Sequence, residues 1–234
     1  TELNHVVSPL SLEIFKKKGI KTIEWFGLFP TQFKKDDNVL KSSPYFDIII
    51  SSVDCFSLFE NKYKPACFLE LFPAFNPKTV RKIELKELGL NDYMYDVVFI
   101  GSVASIHSNR WEILELLANK YDHFAFFGYG VEQVPAKYTF VNKYKGSVWG
   151  EKYVKVINMS KIVLNLFLND YDQVKSGVNL RMVEIPACKA FQLSQHIPGI
   201  EKFLEVGKEI EIFQDNKQLT EKIVTCGLND DWEF

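Results

Sequence analysis

Continuously apolar runs alternate along this chain with amphipathic segments, a pattern typical of buried parallel strands that alternate with helices. In the first part of the chain, Ser8-Pro9 predicts a helix start and Lys18-Gly19 its end. The apolar face predicted for this helix consists of Leu10, Ile14 and Phe15. Strands are predicted over 20–26, 46–51 and 67–72, with a short helix over 54–63.

The second part of the chain repeats the alternation over a longer stretch. Strands are predicted over 96–101, 123–127, 139–141, 161–166, 191–193 and 209–213. Helices are predicted over 109–120, 150–159, 198–205 and 215–225, the last one capped by Asp215, and a loop followed by a helix is predicted over 175–189. Such a succession indicates an α/β architecture with parallel sheets.

Turn signals and charged residues over 73–95 suggest a connection between two units. We therefore predict an N-terminal unit at 1–80, a linker at 81–95 and a C-terminal unit at 96–234. An α/β layer is expected to have strands ahead of this first helix, and none is predicted here. The N-terminal unit is therefore expected to be incomplete.

Two residues near the end of the helix predicted within 175–189 conflict with regular helix geometry. Pro186 removes a backbone hydrogen bond and should kink or shorten the helix. Lys189 stands where a glycine would end the helix easily, so termination without a favourable left-handed residue should cost about 1 kcal/mol.

Charge and cysteine usage narrow the functional classes. The 28 Lys and Arg residues nearly balance 30 Asp and Glu residues, so a broad basic surface for nucleic acid is not expected. The four cysteines form no C-x-x-C pair and the four histidines are scattered, which favours reduced thiols and predicts no metal site. No apolar run is long enough to span a bilayer.

The stretch 174–193 (VKSGVNLRMVEIPACKAFQL) carries the most ligand-like pattern. A loop of small and polar residues contains Lys175, Ser176, Gly177 and Asn179, and it leads into a short amphipathic helix that bears Arg181 and Glu184. Backbone N–H groups at such a turn and at a helix start can bind an anion such as a diphosphate. Spacing alone favours the simpler interpretation, an ordinary surface loop followed by an α/β helix with a surface Arg–Glu pair.

Two further turns follow predicted strands. Gly101-Ser102 ends the strand 96–101, at the sheet edge where open α/β folds bind ligands, and Arg110 stands at the start of the next helix. Gly128 follows the strand 123–127 in the same way. The three-glycine dinucleotide fingerprint is absent here, which argues against a nicotinamide dehydrogenase.

These segments, taken together and in order, resemble the CgeB-like (spore-maturation type) glycosyltransferases, which have the GT-B fold. The segments are 96–102 (DVVFIGS) with Arg110, 160–165 (SKIVLN), 179–188 (NLRMVEIPAC), 191–193 (FQL) and 207–213 (GKEIEIF). The resemblance covers 96–224 well and 5–77 more loosely. It implies two Rossmann-like units that face a cleft, with the acceptor on the N-terminal unit and a nucleotide sugar on the C-terminal unit.

The resemblance also implies roles for individual residues. Glu184 would bind the ribose, and Arg181 would neutralise the departing diphosphate together with Gly101-Ser102 and the 175–179 loop. Asn165 would support these contacts. Ser176 replaces a second glutamate that many related enzymes carry, and no catalytic base is evident. Trp149 is interpreted as a packing residue rather than a platform for the base.

The expected reaction is transfer of a sugar from a nucleoside-diphosphate sugar to a glycan, lipid-linked or protein acceptor. GT-B enzymes generally need neither a metal nor another cofactor. A location in the cytoplasm or at the inner membrane face would suit this substrate. Two alternatives stay open: a non-catalytic nucleotide-sugar-binding or assembly module, and a nucleotide-sugar epimerase of the same fold.

Overall fold

The structure is a computed structural model that describes residues 7–26, 41–54, 56, 59, 63–167 and 177–227. It divides into two compact units. The first unit comprises residues 1–73, 169–179 and 197–203, and the second comprises residues 74–168, 180–196 and 204–234. Each unit contains a sheet whose described strands are all parallel, so the predicted α/β class is confirmed.

Among its described residues, the first unit includes an α-helix and three strands. They are α1 (Pro9–Lys17), β1 (Ile23–Phe26), β2 (Ile48–Ser51) and β3 (Phe68–Glu70), with the strands in the order β1-β2-β3. A later segment joins this unit, because Gly177 forms an antiparallel bridge with Val53 beyond the end of β2. Most of the predicted 54–63 helix lies outside the described residues.

Helix α1 begins where the sequence predicts, but it buries a different side. The Ser8 hydroxyl accepts a hydrogen bond from the Ser11 backbone N–H at 3.2 Å, which satisfies one of the unpaired donors of the first turn. Leu12 is 2% exposed, whereas Leu10 is 68% and Ile14 is 45% exposed. The predicted apolar face was therefore wrong. Apolar residues occupy more than one side of this short helix, so periodicity alone does not select the buried one.

The second unit is a five-stranded parallel sheet with helices between its strands. Its strands are β4 (Tyr95–Ile100), β5 (Phe124–Phe127), β6 (Ser160–Asn165), β7 (Phe191–Gln195) and β8 (Glu211–Phe213), in the order β5-β4-β6-β7-β8. Its helices are α2 (Trp111–Lys120), α3 (Glu151–Asn158), α4 (Arg181–Ala187) and α5 (Asn216–Gly227). Asp215 caps α5 as predicted, because its Oδ1 accepts from the Gln218 backbone N–H at 2.8 Å.

The core of the second unit lies on both faces of its sheet. Along β4, Val97 and Phe99 pack into one apolar cluster, while Val98 and Ile100 pack into another. Successive side chains of a strand point to opposite faces, so a strand covered on both sides must be apolar throughout. This explains the uninterrupted VVFI run that identified the strand in the sequence.

Two predicted elements take a different form. Residues 140–143 form a 3-10 helix where a strand was predicted over 139–141, because the Glu115 carboxylate accepts the backbone N–H groups of Thr139 and Phe140. The predicted helix over 198–205 is a single 3-10 turn at Ile200–Lys202. Gly199 precedes it in the left-handed region, with φ of 72°, so a regular helix cannot run through from residue 198.

Helix α4 is only seven residues long and ends one residue after Pro186, in line with the predicted shortening. The chain then leaves the helix through Lys189, which adopts a left-handed conformation with φ of 51°. The Lys189 N–H donates to the Pro186 carbonyl and the Ala190 N–H donates to the Ile185 carbonyl, which together form a Schellman ending. The helix therefore does end with a left-handed residue. Because that residue is lysine rather than glycine, its β-carbon makes the conformation sterically unfavourable.

Within the described residues, every helix is too short or too polar to cross a bilayer.

Candidate functional site

Two glycine turns lie side by side at the carboxyl ends of β4 and β5. The Gly101 N–H donates to the Phe127 carbonyl at 2.9 Å, and Gly128 follows with φ of 148°. A β-carbon at Gly128 would lie 1.9 Å from the Gly101 carbonyl oxygen, and one at Gly101 would lie 2.8 Å from the Phe99 ring. A side chain at Gly128 would overlap the backbone of Gly101, so the lack of one lets the two turns pack directly against each other at this edge.

Arg181, the first residue of α4, is tied to the ends of two strands. Its Nε donates to Asn165 Oδ1 at 2.8 Å, and its two terminal nitrogens donate to the carbonyls of Ile100 and Leu166, each at 3.0 Å. The guanidinium also lies 5.9 Å from the centre of the Phe99 ring. These bonds hold one cation firmly beside the Gly101 turn.

Arg110 lies beneath the same turn and is only 4% exposed. It donates to the Ser102 carbonyl at 2.7 Å and to the Leu166 carbonyl at 3.2 Å, and it lies 5.5 Å from the centre of the Phe99 ring. A buried guanidinium needs such acceptors to offset its lost hydration. Arg110 therefore supports the turn from below.

Asn165 and Ser102 are also buried supports. Asn165 is fully buried and connects Arg181 to Ser194, whose hydroxyl accepts from Nδ2 at 3.2 Å. The Ser102 hydroxyl accepts from the Ala104 N–H at 3.2 Å, which shapes the turn after β4. Both residues stabilise the geometry of the strand ends.

Glu184, one turn into α4, is paired with Tyr153 of α3. The Tyr153 hydroxyl donates to Glu184 Oε2 at 2.9 Å. Burial, followed by the nearby charge of Glu184, raises the pKa of the Tyr153 hydroxyl well above its ordinary value. Tyr153 therefore stays protonated and acts as a permanent donor that orients the carboxylate.

An open pocket with a volume of about 970 Å³ brings these features together, and all of its lining residues belong to the second unit. Five predicted site residues line it: Gly101, Ser102, Gly128, Arg181 and Glu184. Other walls come from residues 74–83 and from the segment around the start of α3. Its size suits a ligand larger than a single phosphate.

The remaining predicted site residues lie elsewhere. Arg110 and Asn165 lie behind the pocket wall. Arg110 donates to the backbone there, and Asn165 accepts from Arg181. Gly177 and Asn179 belong to the first unit. Lys175 and Ser176 lie outside the described residues, so their predicted role stays a prediction.

Sequence reasoning missed three parts of the pocket. Trp149 is 73% exposed and lines the pocket, so its interpretation as a packing residue was wrong. Nothing in the sequence identified Tyr153 as a site residue, because a tyrosine in an amphipathic helix is common. Residues 74–83 were read as part of a connection, since turn residues rather than chemistry dominate the segment.

The described residues give no indication of a thiolate nucleophile at Cys188 or of a metal centre. Burial raises the pKa of the Cys188 thiol to about 11, so this cysteine is not a reactive thiolate. Over the described ranges, no group of three or more His, Cys, Asp or Glu side chains is arranged to hold a metal ion.

A parallel α/β unit whose glycine turns, arginine and carboxylate surround a pocket at the carboxyl edge of the sheet is a nucleotide-binding type of domain. The family model described as glycosyl transferase-like matches residues 109–232. The chain therefore belongs to the glycosyl transferase-like family. A comparison with curated protein sequences gave no match.

Solved structures that superpose on this chain include glycosyltransferases of the GT-B fold. HepE from Anabaena, in complex with UDP and glucose, superposes with a TM-score of 0.64 and 12% identity, over 94% of this chain and 66% of that chain. Sucrose-phosphate synthase from Thermosynechococcus elongatus gives 0.58 and 12%, over 93% of this chain and 62% of that one. TarM gives 0.58 and 14%, over 93% and 51%. The chain thus spans between half and two thirds of the length of these proteins.

Proposed function

We propose that this protein transfers a sugar from a nucleoside-diphosphate sugar to an acceptor, as a CgeB-like member of its family. The observation that carries the proposal is the Tyr153–Glu184 pair on the wall of a pocket at the carboxyl edge of a parallel sheet. HepE structures contain UDP or UDP-glucose, so a UDP sugar is the first donor to test. A glycan, lipid-linked or protein acceptor would be used in the cytoplasm or at the inner membrane face.

Glu184 is assigned to the ribose. A carboxylate has about four acceptor positions, so the hydrogen bond from Tyr153 leaves capacity for two adjacent ribose hydroxyls. Tyr153 fixes the carboxylate before the ligand arrives, which reduces the entropy lost on binding.

The diphosphate is assigned to the glycine turns beside Arg181. Both turns line the pocket, and the lack of a β-carbon at Gly101 lets the Arg181 guanidinium lie against its turn and supply a fixed positive charge at the same edge. A preorganised cation stabilises charge that develops on the leaving group, so turnover without a divalent cation is expected.

Trp149 is assigned to the nucleobase. It immediately precedes Gly150, the residue before α3, and Tyr153 follows in the first turn of that helix. An exposed indole four residues before the tyrosine that holds the ribose-binding carboxylate is suitably placed to stack on the attached base.

The test is calorimetric titration with UDP, GDP, CDP, ADP and TDP and their sugars, with and without magnesium. Glu184→Ala should weaken binding of the preferred nucleotide by at least about tenfold, and Tyr153→Phe by roughly threefold. Glu151→Ala is the matched control, because this pocket-lining glutamate pairs with Lys155 instead. The nucleotide affinity of this variant should change less than about twofold.

Release of the free sugar or its transfer to an acceptor then distinguishes an enzyme from a binding module. Interconversion of donor sugars in the absence of acceptor would instead indicate an epimerase. If no nucleotide binds, or if Glu184→Ala and Glu151→Ala behave alike, the ribose assignment is wrong.

A further inference from the structure

Residues 74–83, which we call the strap, form one wall of the pocket although they contain neither a helix nor a strand. Every strap residue except Pro77 and Lys82 lines the pocket. The first six residues of the strap are exposed, so the strap has little burial of its own to hold it in position. Its apolar anchors are Ile83, which is 9% exposed, and the partly buried Val80.

The buried side chain of Asn158 supplies polar contacts to two strap residues. Asn158, the last residue of α3, is 2% exposed. Its Oδ1 accepts from the Ile83 N–H at 2.9 Å, and its Nδ2 donates to the Arg81 carbonyl at 3.1 Å and to the Val154 carbonyl at 2.9 Å. The donors and acceptors around the amide leave only one orientation, so Asn158 links the end of the strap rigidly to α3.

The strap brings positive charge to the pocket. Lys78 and Arg81 both line it and both are exposed. Arg81 is also the residue whose carbonyl Asn158 binds, so the tether fixes the backbone from which this guanidinium extends. Cations on the strap add to the positive charge of Arg181, so together they would attract a diphosphate more strongly than Arg181 alone.

We propose that Asn158 is a positioning residue for the donor site: it holds the strap in place so that Lys78 and Arg81 face the phosphates of the nucleotide sugar. The inference rests on the proposed function for the identity of the ligand. Asn158 itself is buried behind the strap and does not line the pocket.

The first experiment measures the tether without ligand. Trypsin cleaves after Lys78, Arg81 and Lys82, so the rate of strap cleavage, followed by mass spectrometry, reports how firmly the strap is held. Asn158→Ala should raise that rate at least about fivefold at a temperature well below unfolding. Ser160→Ala is the matched control, because Ser160 is equally buried and its hydroxyl donates to the Val156 carbonyl of the same helix instead of to a strap residue.

The second experiment measures the effect on ligand binding. Asn158→Ala should weaken UDP binding about tenfold while uridine binding changes less than about twofold, because only the phosphates face the strap. In a Lys78→Ala/Arg81→Ala background, Asn158→Ala should have little further effect, since both changes act through the same wall. If Asn158→Ala weakened UDP binding only by destabilising the protein, uridine binding would weaken as well. The loss of UDP affinity would then also add to that caused by the Lys78→Ala/Arg81→Ala double substitution.

The outcomes separate this inference from the proposed function. If wild-type protein binds no nucleoside diphosphate, the proposed function fails and this inference fails with it. If wild-type protein binds UDP but Asn158→Ala binds it equally well, or if the strap is cut no faster than in Ser160→Ala, only the positioning role is overturned.

Discussion

Arg110 and Arg181 donate to the same backbone oxygen: their Nη2 atoms lie 3.2 and 3.0 Å from the Leu166 carbonyl. Two like charges at one carbonyl repel each other, so the arrangement depends on the surrounding acceptors and on the Phe99 ring that both guanidiniums approach. The carboxyl edge of the sheet therefore carries a concentrated positive potential from two arginines. Arg110 is buried, and of the two only Arg181 lines the pocket.

Replacing Arg110 with lysine should lower the free energy of unfolding by about 2 kcal/mol, because an ammonium cannot bridge both carbonyls and one is left unpaired. Urea denaturation measures this loss. Arg81→Lys provides the comparison, since Arg81 is exposed and its guanidinium donates only to the neighbouring Lys82 carbonyl among the contacts described; the effect of this substitution should stay within about 0.5 kcal/mol. Equal effects of the two substitutions would contradict the supporting role of Arg110.

Gly128→Ala should destabilise the protein by roughly 3 kcal/mol or more, because the added methyl group would overlap the Gly101 carbonyl at 1.9 Å. Gly146→Ala isolates the backbone contribution: Gly146 has φ of 99°, but a β-carbon there would meet nothing within 4 Å. That control should lose only about 1–2 kcal/mol. Thermal denaturation of both variants tests the difference, and similar midpoints would show that the two turns are not in close contact.

Lys189→Gly should stabilise the protein by about 1 kcal/mol, because glycine adopts the left-handed conformation at the end of α4 without steric cost. The melting temperature should rise by roughly 2–4 °C. Lys189→Ala keeps the β-carbon and should give no comparable gain. Nucleotide affinity should be unchanged in both variants, since Lys189 does not line the pocket; a lower melting temperature for the glycine variant would refute the interpretation.

Glu115 should make stability depend on pH. Burial opposes ionisation of this carboxylate, but hydrogen bonds from Thr139, Phe140 and Asn119 together lower its pKa below the ordinary value. A lowered folded-state pKa contributes stability above the unfolded-state pKa and loses it as the pH falls through the folded-state value. Glu115→Gln should therefore cost roughly 1 kcal/mol at pH 7, and the deficit should shrink below about pH 4.3.

Urea denaturation of the wild-type protein and Glu115→Gln between pH 7 and pH 3 measures this convergence. Glu112→Gln is the control on the same helix; its carboxylate accepts from Tyr138, but no backbone N–H bond to it is described. A deficit for Glu115→Gln that stays constant over this range would mean that its ionisation does not matter for stability.

Local patterns were sufficient for much of the fold. The apolar runs at β4 and β6 reflect strands that are covered on both faces, and the caps at Ser8 and Asp215 involve residues only three positions apart. The same patterns identified Gly101, Gly128, Arg181 and Glu184, which line the pocket. They failed at α1, where apolar residues on more than one side made the buried face ambiguous.

Which residues meet around the pocket was decided by tertiary structure. Tyr153 and Glu184 are 31 positions apart and Asn158 and Ile83 are 75 apart, so no local spacing connects them. Whether Trp149 is packed or exposed, and whether Arg110 faces the pocket or lies beneath it, likewise depends on neighbours from other elements. The sequence by itself determined the elements and their chemistry, because propensity, capping and hydrophobic period act over a few residues. Only the packed chain determined which of those groups share a wall, because such contacts are made between elements distant along the chain.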